Sequence, residues 1–378
     1  MSELKEYNIT EVCDTISETY RDSAENVVLI NTSDVLEGKV TNHEFVPNKN
    51  LAGQFKKKFQ KDDILYSEIR PANKRYAYVD FEPKDYIAST KLMVLRSKPC
   101  ILPKYLYYLL TNNTTISNLH AIAVGRSGTF PQITYSELAN IRFLLPSIEE
   151  QKEILSTLLS LDNKIAVNKK ICENLETQAQ ALFKHWFVDF APFKDGKFIE
   201  SELGLIPEGW RVGTFGEVMS ITSGKRPSKK ENGTSEKFQI PLIGASDIMG
   251  YTNTYLYNEK ILVIGRVGTH GIVQRFDYPC WPSDNTLVIK SSYYEFCYHV
   301  LRSIDYKSLN RGSTQPLISQ SDINNYEILI PTNEILSEFE ILISPLMESW
   351  KYQHKECSHL ATLRDTLLPK LMSGQIKL

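Results

Sequence analysis

Long apolar runs are missing from this sequence. No stretch of eighteen apolar residues occurs in its 378 positions, and a membrane-spanning helix needs about 20. The opening MSELKEYNIT has no apolar core of the kind a secretory leader carries, so a cytoplasmic protein with no membrane partner is expected. Cysteine is sparse and scattered at positions 13, 100, 172, 280, 297 and 357, without a CxxC pair. That spacing predicts reduced thiols, with neither a disulfide frame nor a zinc site. His354, Cys357 and His359 lie close in sequence, but the helical repeat described below accounts for Cys357.

Catalytic signatures are equally scarce. There is no HExxH, GxSxG or EF-hand pattern. The run Gly265-Arg266-Val267-Gly268-Thr269-His270-Gly271 is glycine-rich, yet it does not open a strand–helix–strand unit with an acid about 20 residues on, as dinucleotide binding requires. Gly224-Lys225-Arg226 lacks the earlier glycine and the hydroxyl residue of a phosphate loop. No Asn-Pro-Pro-aromatic or Asp-Pro-Pro-aromatic tetrapeptide of an amino-methyltransferase occurs. Asp63 with Glu82-Pro83-Lys84 imitates the acidic pair and lysine of a metal-dependent nuclease. Proline fits that central strand badly, and the second half of the chain has no counterpart. Catalytic residues, metal ligands and cofactors of the chain's own are therefore not expected.

What is present is a long internal repeat. Aligning Pro131 with Pro316, an offset of 316 − 131 = 185, places Ile133 on Ile318, Thr134 on Ser319 and Pro146 on Pro331 without a gap. The match continues through Leu158 and Ile343, Leu161 and Leu346, Cys172 and Cys357, and Leu182 and Leu367. Solenoid units run about 20–50 residues, so this is a duplicated module: a globular domain and a helix, then the same again. The predicted segments are 1–147, 148–190, 191–331 and 332–378. Two similar domains on two similar rods suggest a protein that reads two similar things at a fixed distance.

Each rod carries a heptad stripe. The first steps by four and three through Ile154, Leu158, Leu161, Ile165, Asn168, Cys172, Leu175, Ala179, Leu182 and Trp186. The second takes Phe339, Ile343, Leu346, Trp350, Gln353, Cys357, Leu360, Arg364, Leu367 and Leu371. This is the 3.5-residue period of a coiled-coil seam. A helix of roughly 40 residues, about 60 Å long, with one apolar stripe requires a partner stripe. Asn168 and Gln353 interrupt the seams at equivalent places, either fixing register as buried amides or facing solvent at a local opening. Ser147 with Glu150 reads as a capping box, and Pro331-Thr332 opens the second rod. Pro345 predicts a kink or a late start there; Pro369 and Gly374 mark its end.

Within each domain, 63–66 and 91–95 read as strands, matched by 260–264 and 285–289. A helix follows each pair (104–110; 296–301), then a polar loop (125–131; 311–316), then a short helix starting near Thr134 or Ser319. Net charge is only −2, low for a freestanding nucleic-acid binder, but the cations are clustered. Lys56, Lys57, Lys58, Arg70, Lys74 and Arg75 sit in one segment, and Lys225 and Arg226 in another. Arg126 and Arg311 fall in the two polar loops and Arg266 in the glycine-rich run. Arginine can fork onto guanine or phosphate, so these eleven residues are the candidate DNA contacts; a solvated basic surface and a simple turn are the bland alternatives.

Ser147-Ile-Glu-Glu-Gln-Lys-Glu-Ile154, running into Leu182-Phe-Lys-His-Trp-Phe-Val-Asp-Phe190, resembles the central region of specificity subunits of type I restriction–modification systems. Gly204-Leu-Ile-Pro-Glu-Gly-Trp210 and Thr366-Leu-Leu-Pro-Lys-Leu-Met-Ser-Gly-Gln-Ile376 resemble that family's entry to its second recognition domain and its C-terminal end. The resemblance implies an α+β fold: two similar α/β target-recognition domains, each followed by a long helix, the two helices pairing as an antiparallel coiled coil. It implies that each domain reads half of a bipartite double-stranded DNA target. Two methyltransferase subunits would bind S-adenosylmethionine and methylate adenine N6, and restriction subunits would use ATP and Mg²⁺. The recognition domains of the family vary freely, so it assigns no base-contacting residue here. A non-catalytic two-domain scaffold for protein ligands is the competing reading.

Overall fold

The computed structural model describes residues 5–126, 130–268, 271–309 and 317–377. The chain forms two compact units, Met1–Lys169 with Lys355–Leu378, and Lys170–His354. Its helices are α1 (Ile9–Val12), α2 (Pro103–Thr111), α3 (Asn113–Arg126), α4 (Tyr135–Ala139), α5 (Ile148–Phe187), α6 (Tyr294–Ser303), α7 (Gln320–Asn324) and α8 (Asn333–Met372). None among the described residues is long and apolar enough to cross a membrane.

The repeat is carried into the structure end for end. Tyr135–Ala139, Arg142–Leu145 and Ile148–Phe187 recur as Gln320–Asn324, Glu327–Ile330 and Asn333–Met372, with 333 − 148 = 185 at every boundary. Identical spacing in two divergent halves means that the same caps and turns set the same lengths. Thr134 with Glu137 and Ser319 with Asp322 form capping boxes at the two short helices. Ser147 and Glu150 form the expected box at α5, with the Glu150 amide donating to Ser147 Oγ at 3.3 Å and the Ser147 amide donating back at 3.1 Å.

The first unit is built on an antiparallel sheet ordered Cys13–Ile16, Leu92–Ser97, Ile64–Ser67, Tyr76–Tyr78. Side chains alternate across a strand. Ile64, Tyr66, Met93 and Leu95 face the helical core, with Leu106, Leu119 and Leu158. Leu65, Leu92 and Val94 face a second sheet through Val28, Ile30 and Phe59. Burial on both sides explains why these strands read as unbroken apolar runs. The second unit repeats the plan with Ser220–Ser223, Thr286–Lys290, Ile261–Gly265 and Val273–Phe276. There Leu262, Ile264, Leu287 and Ile289 face the helices, while Val263 and Val288 face Ile243 and Cys280. All four expected strands are present, each starting one residue later than expected.

Both long helices contribute to both units. In the first unit, Arg364 Nη1 of α8 donates to Asp162 Oδ1 of α5 at 2.7 Å. Asn168 is fully buried and donates to Glu356 Oε2 at 2.5 Å, so it does not face solvent. The Cys357 thiol points to the Ile165 carbonyl at 3.7 Å. In the second unit the Cys172 thiol points to the Trp350 carbonyl at 3.6 Å. Cysteine 172 and 357, and residues 165 and 350, are each 185 apart, so the repeat holds in the helix–helix contacts too. Every residue of the two stripes is buried or half-buried. Arg364, the charge in the second stripe, is accommodated by its pair with Asp162.

The late start and the place of Pro369 in α8 need correction. The helix begins at Asn333 and runs through Pro345, so there is no late start. Pro345 is exposed, where water can serve the carbonyl left without an amide partner. Pro369 lies inside the last turns, not at the end, which comes at Met372, before Gly374.

Candidate nucleic-acid interface

In each unit the segment leaving a central strand is pinned to the loop before the short capped helix. In the first unit, Ile69 bridges Gln132, Ile133 N donates to Glu68 O at 2.8 Å, and Arg70 N donates to Pro131 O at 3.0 Å. In the second, Val267 bridges Leu317 and Ile318 N donates to Arg266 O at 3.0 Å. In the first unit the end of the polar loop, Phe130 and Pro131, therefore lies beside the basic turn; in the second, Leu317, just past the polar loop, lies beside the glycine-rich run, while 311–316 lie outside the described residues. Sequence spacing could not reveal this, because the bridged residues are 132 − 69 = 63 and 317 − 267 = 50 positions apart with no periodic pattern between them.

The turn in the first unit has an unusual backbone. Arg70 and Lys74 lie in the left-handed region, φ +46° and +51°, on either side of the tight turn Pro71–Asn73. Such a conformation costs a non-glycine residue about 1–2 kcal/mol. Buried Pro71 fixes the turn. The position equivalent to Arg70, one past the bridge, is Gly268 in the second unit, at φ +86°. Glycine takes that conformation without steric penalty.

The candidate cations of the first unit have distinct surroundings. Lys56 is exposed on the strand Phe55–Lys57. Lys57 is half-buried, donates to Leu92 O at 2.8 Å, and burial lowers its ammonium pKa. Lys58 pairs with Asp22 at 3.1 Å and Lys74 with Glu37 at 3.7 Å. Arg75 donates to Ser33 O at 2.9 Å. Arg126, at the end of α3, pairs with Glu137, whose carboxyl the Thr134 hydroxyl and amide, with Arg126, hold below its usual range. Arg70 is exposed, with its guanidinium 6.0 Å from the centre of the Phe130 ring.

In the second unit Arg266 is half-buried and its amide donates to Asn285 O at 2.9 Å. Lys225 and Arg226 follow Gly224, where a Cβ would collide with the carbonyls of Pro282 and Ser283. Trp281 Nε1 donates to Lys225 O at 2.6 Å, and Arg226 lies 3.7 Å from Asp284 with 86% of its side chain exposed. Arg311, like Thr269 and His270, lies outside the described residues.

Asp63, Glu82 and Lys84 do not form a nuclease centre. Both Asp63 carboxylate oxygens are taken by Arg96, at 2.7 and 2.8 Å, in a buried pair that also accepts the Gln60 amide at 2.8 Å.

The sequence pattern of the type I restriction modification DNA specificity domain matches residues 1–177 and 207–367. The chain belongs to the type I restriction–modification specificity family. It is 30% identical over 463 aligned positions to the type I restriction enzyme HindI specificity subunit of Haemophilus influenzae, covering 100% of both chains. It is 32% identical over 348 positions to the MjaIX specificity subunit of Methanocaldococcus jannaschii, covering 84% of this chain and 78% of that one. The crystal structure of a type I system S subunit from M. genitalium shares the fold, with a TM-score of 0.56 and 16% identity over 98% of this chain and 96% of that one. The chain is a specificity subunit of a type I restriction system.

Proposed function

We propose that this subunit recognises a bipartite double-stranded DNA sequence, one half through each unit, and directs partner subunits to it. The observation that carries this reading is the repetition itself: in both units the segment leaving a central strand is tied by the same bridge to the chain just before the short capped helix. A duplicated reading head suits a duplicated target. The α5 and α8 stripes act as an antiparallel coiled coil, with Asn168 fixing register. Two methyltransferase subunits bind S-adenosylmethionine and methylate adenine N6. Restriction subunits, where present, bring ATP and Mg²⁺. The chain itself is non-catalytic and works in the cytoplasm.

The near-neutral charge of the chain fits a complex in which the partners supply much of the DNA clamp. Lysine and arginine contacts to phosphate make binding fall steeply with salt. The deciding experiment is single-molecule methylation sequencing of host DNA with and without this chain. Loss of one bipartite N6-methyladenine motif on deletion is expected; an unchanged methylome would reject the reading. Lengthening α5 by four residues, about 6 Å, should widen the unread spacer by about two base pairs while both half-sites stay the same.

A further inference from the structure

We infer that Arg70 is a specificity-determining residue of the first unit, reading a guanine in its half of the target, with Phe130 as the side chain that positions it. The inference rests on the DNA-recognition reading above and adds which residue discriminates and which base it selects.

Three observations converge on Arg70. The first is conformational. At equivalent positions past the bridge, the second unit has Gly268 at φ +86° and the first has Arg70 at φ +46°. Glycine is the unstrained choice, so an arginine there keeps its side chain against local strain, and such strain gathers at functional sites. The second is the side chain's freedom. Arg75 donates to Ser33 and Arg126 pairs with Glu137, whereas the Arg70 guanidinium makes no hydrogen bond or ion pair among the described residues. The third is orientation. The guanidinium lies 6.0 Å from the centre of the Phe130 ring, and Phe130 is itself 48% exposed. The Arg70 amide is tied to Pro131 O at 3.0 Å, so the backbone is anchored and the ring stands near the other end of the side chain, while its five donors stay unbonded among the described residues.

A guanidinium held this way matches the two acceptors, O6 and N7, that guanine presents in the major groove. A phosphate contact would need only the charge, which lysine also supplies. The two roles are thus separable by substitution.

The test uses the full subunit with its methyltransferase partners in the host, read by single-molecule methylation sequencing and by thermal unfolding of the purified chain. Arg70→Lys keeps charge and removes the fork. Arg70→Gly copies the second unit and relieves the backbone. Both variants should relax one G·C position in one half-site by roughly ten- to a hundredfold and leave the other half unchanged, and R70G should unfold no earlier than wild type. Phe130→Leu should loosen the same position more weakly. An unchanged motif in both Arg70 variants overturns the proposal. So does a uniform fall in methylation with no change in base preference, which marks a phosphate contact. A lower melting temperature for R70G overturns the premise of a strained arginine. A wild-type strain with no bipartite motif rejects the recognition reading itself, a result distinguishable from all of these.

Discussion

Phe296 donates its backbone amide to the carboxylate of Glu340 at 2.8 Å, so a side chain of α8 caps the first turn of α6. A helix N-terminus favours an anion, yet burial pushes the Glu340 carboxyl up to about 7, with Glu295 adding to the rise and Lys260 opposing it. An acid raised in the folded state contributes stability that is complete below its unfolded value of about 4.5 and is lost as pH rises through about 7. Glu340→Gln keeps the acceptor and removes the charge. It should raise stability by about 2–3 kcal/mol at pH 8 and leave it little changed at pH 5. Equal effects at both pH values in thermal melts would show that the fold does not raise the Glu340 pKa.

His299 titrates in the opposite sense. Its ring stacks on Phe183 with centroids 5.2 Å apart, and burial, helped by Arg302 and Arg275, pushes its pKa down to about 3. A depressed base contributes stability above its unfolded value of about 6.5 that is lost as pH falls. Near pH 5 the loss should reach about 2 kcal/mol. His299→Phe should abolish that acid sensitivity. The comparison belongs in the Glu340→Gln background, where the opposing contribution over the same range is absent.

Asp63→Ala leaves Arg96 without its carboxylate and the Gln60 amide without an acceptor. Removing one partner of a buried pair typically costs about 3 kcal/mol or more, and Arg96 is partly exposed, so about 3 is expected. Denaturant titration checks it. A shift below about 1 kcal/mol would mean that the pair is not structural, and the metal-centre reading of Asp63 would regain ground.

Leu161→Asp puts a charge into the α5 stripe one residue from Asp162, which already binds Arg364. A loss of about 2–4 kcal/mol should accompany loss of co-purification with the methyltransferase. Intact melting and intact assembly together would refute the pairing of the two stripes through this position.

Much of this was legible because it rests on local rules. Ser147 and Glu150 close the capping box that their spacing predicts, and the starts of α5 and α8 lie 185 residues apart because a proline and a small hydroxyl residue (Pro146-Ser147, Pro331-Thr332) precede both. The doubly buried strands read as apolar runs for the same reason. Pro345 does not delay the start of α8, because the helix tolerates a missing hydrogen bond on an exposed face. Lys57 shows the limit for the site: a lysine run gives charge, but only packing showed that this ammonium is held by the Leu92 carbonyl. The left-handed Arg70 left no trace in the sequence, since a residue before proline is expected to be extended and Arg70 has φ +46°.

The sequence by itself determined the duplication, the two long helices and their stripes, and the alternation that buries Ile64 and Tyr66 on one face and Leu65 on the other. Periodicity and capping are properties of neighbours in the chain, so they can be read from the chain. Only the tertiary structure decided that Arg70 stands over Phe130, that Arg126 is tied to Glu137, that Asp63 is spent on Arg96 and that Glu340 caps α6. Each of these joins residues whose separation along the chain carries no period, and the energies that choose them, burial of charge and strain of backbone, exist only once the two segments have met.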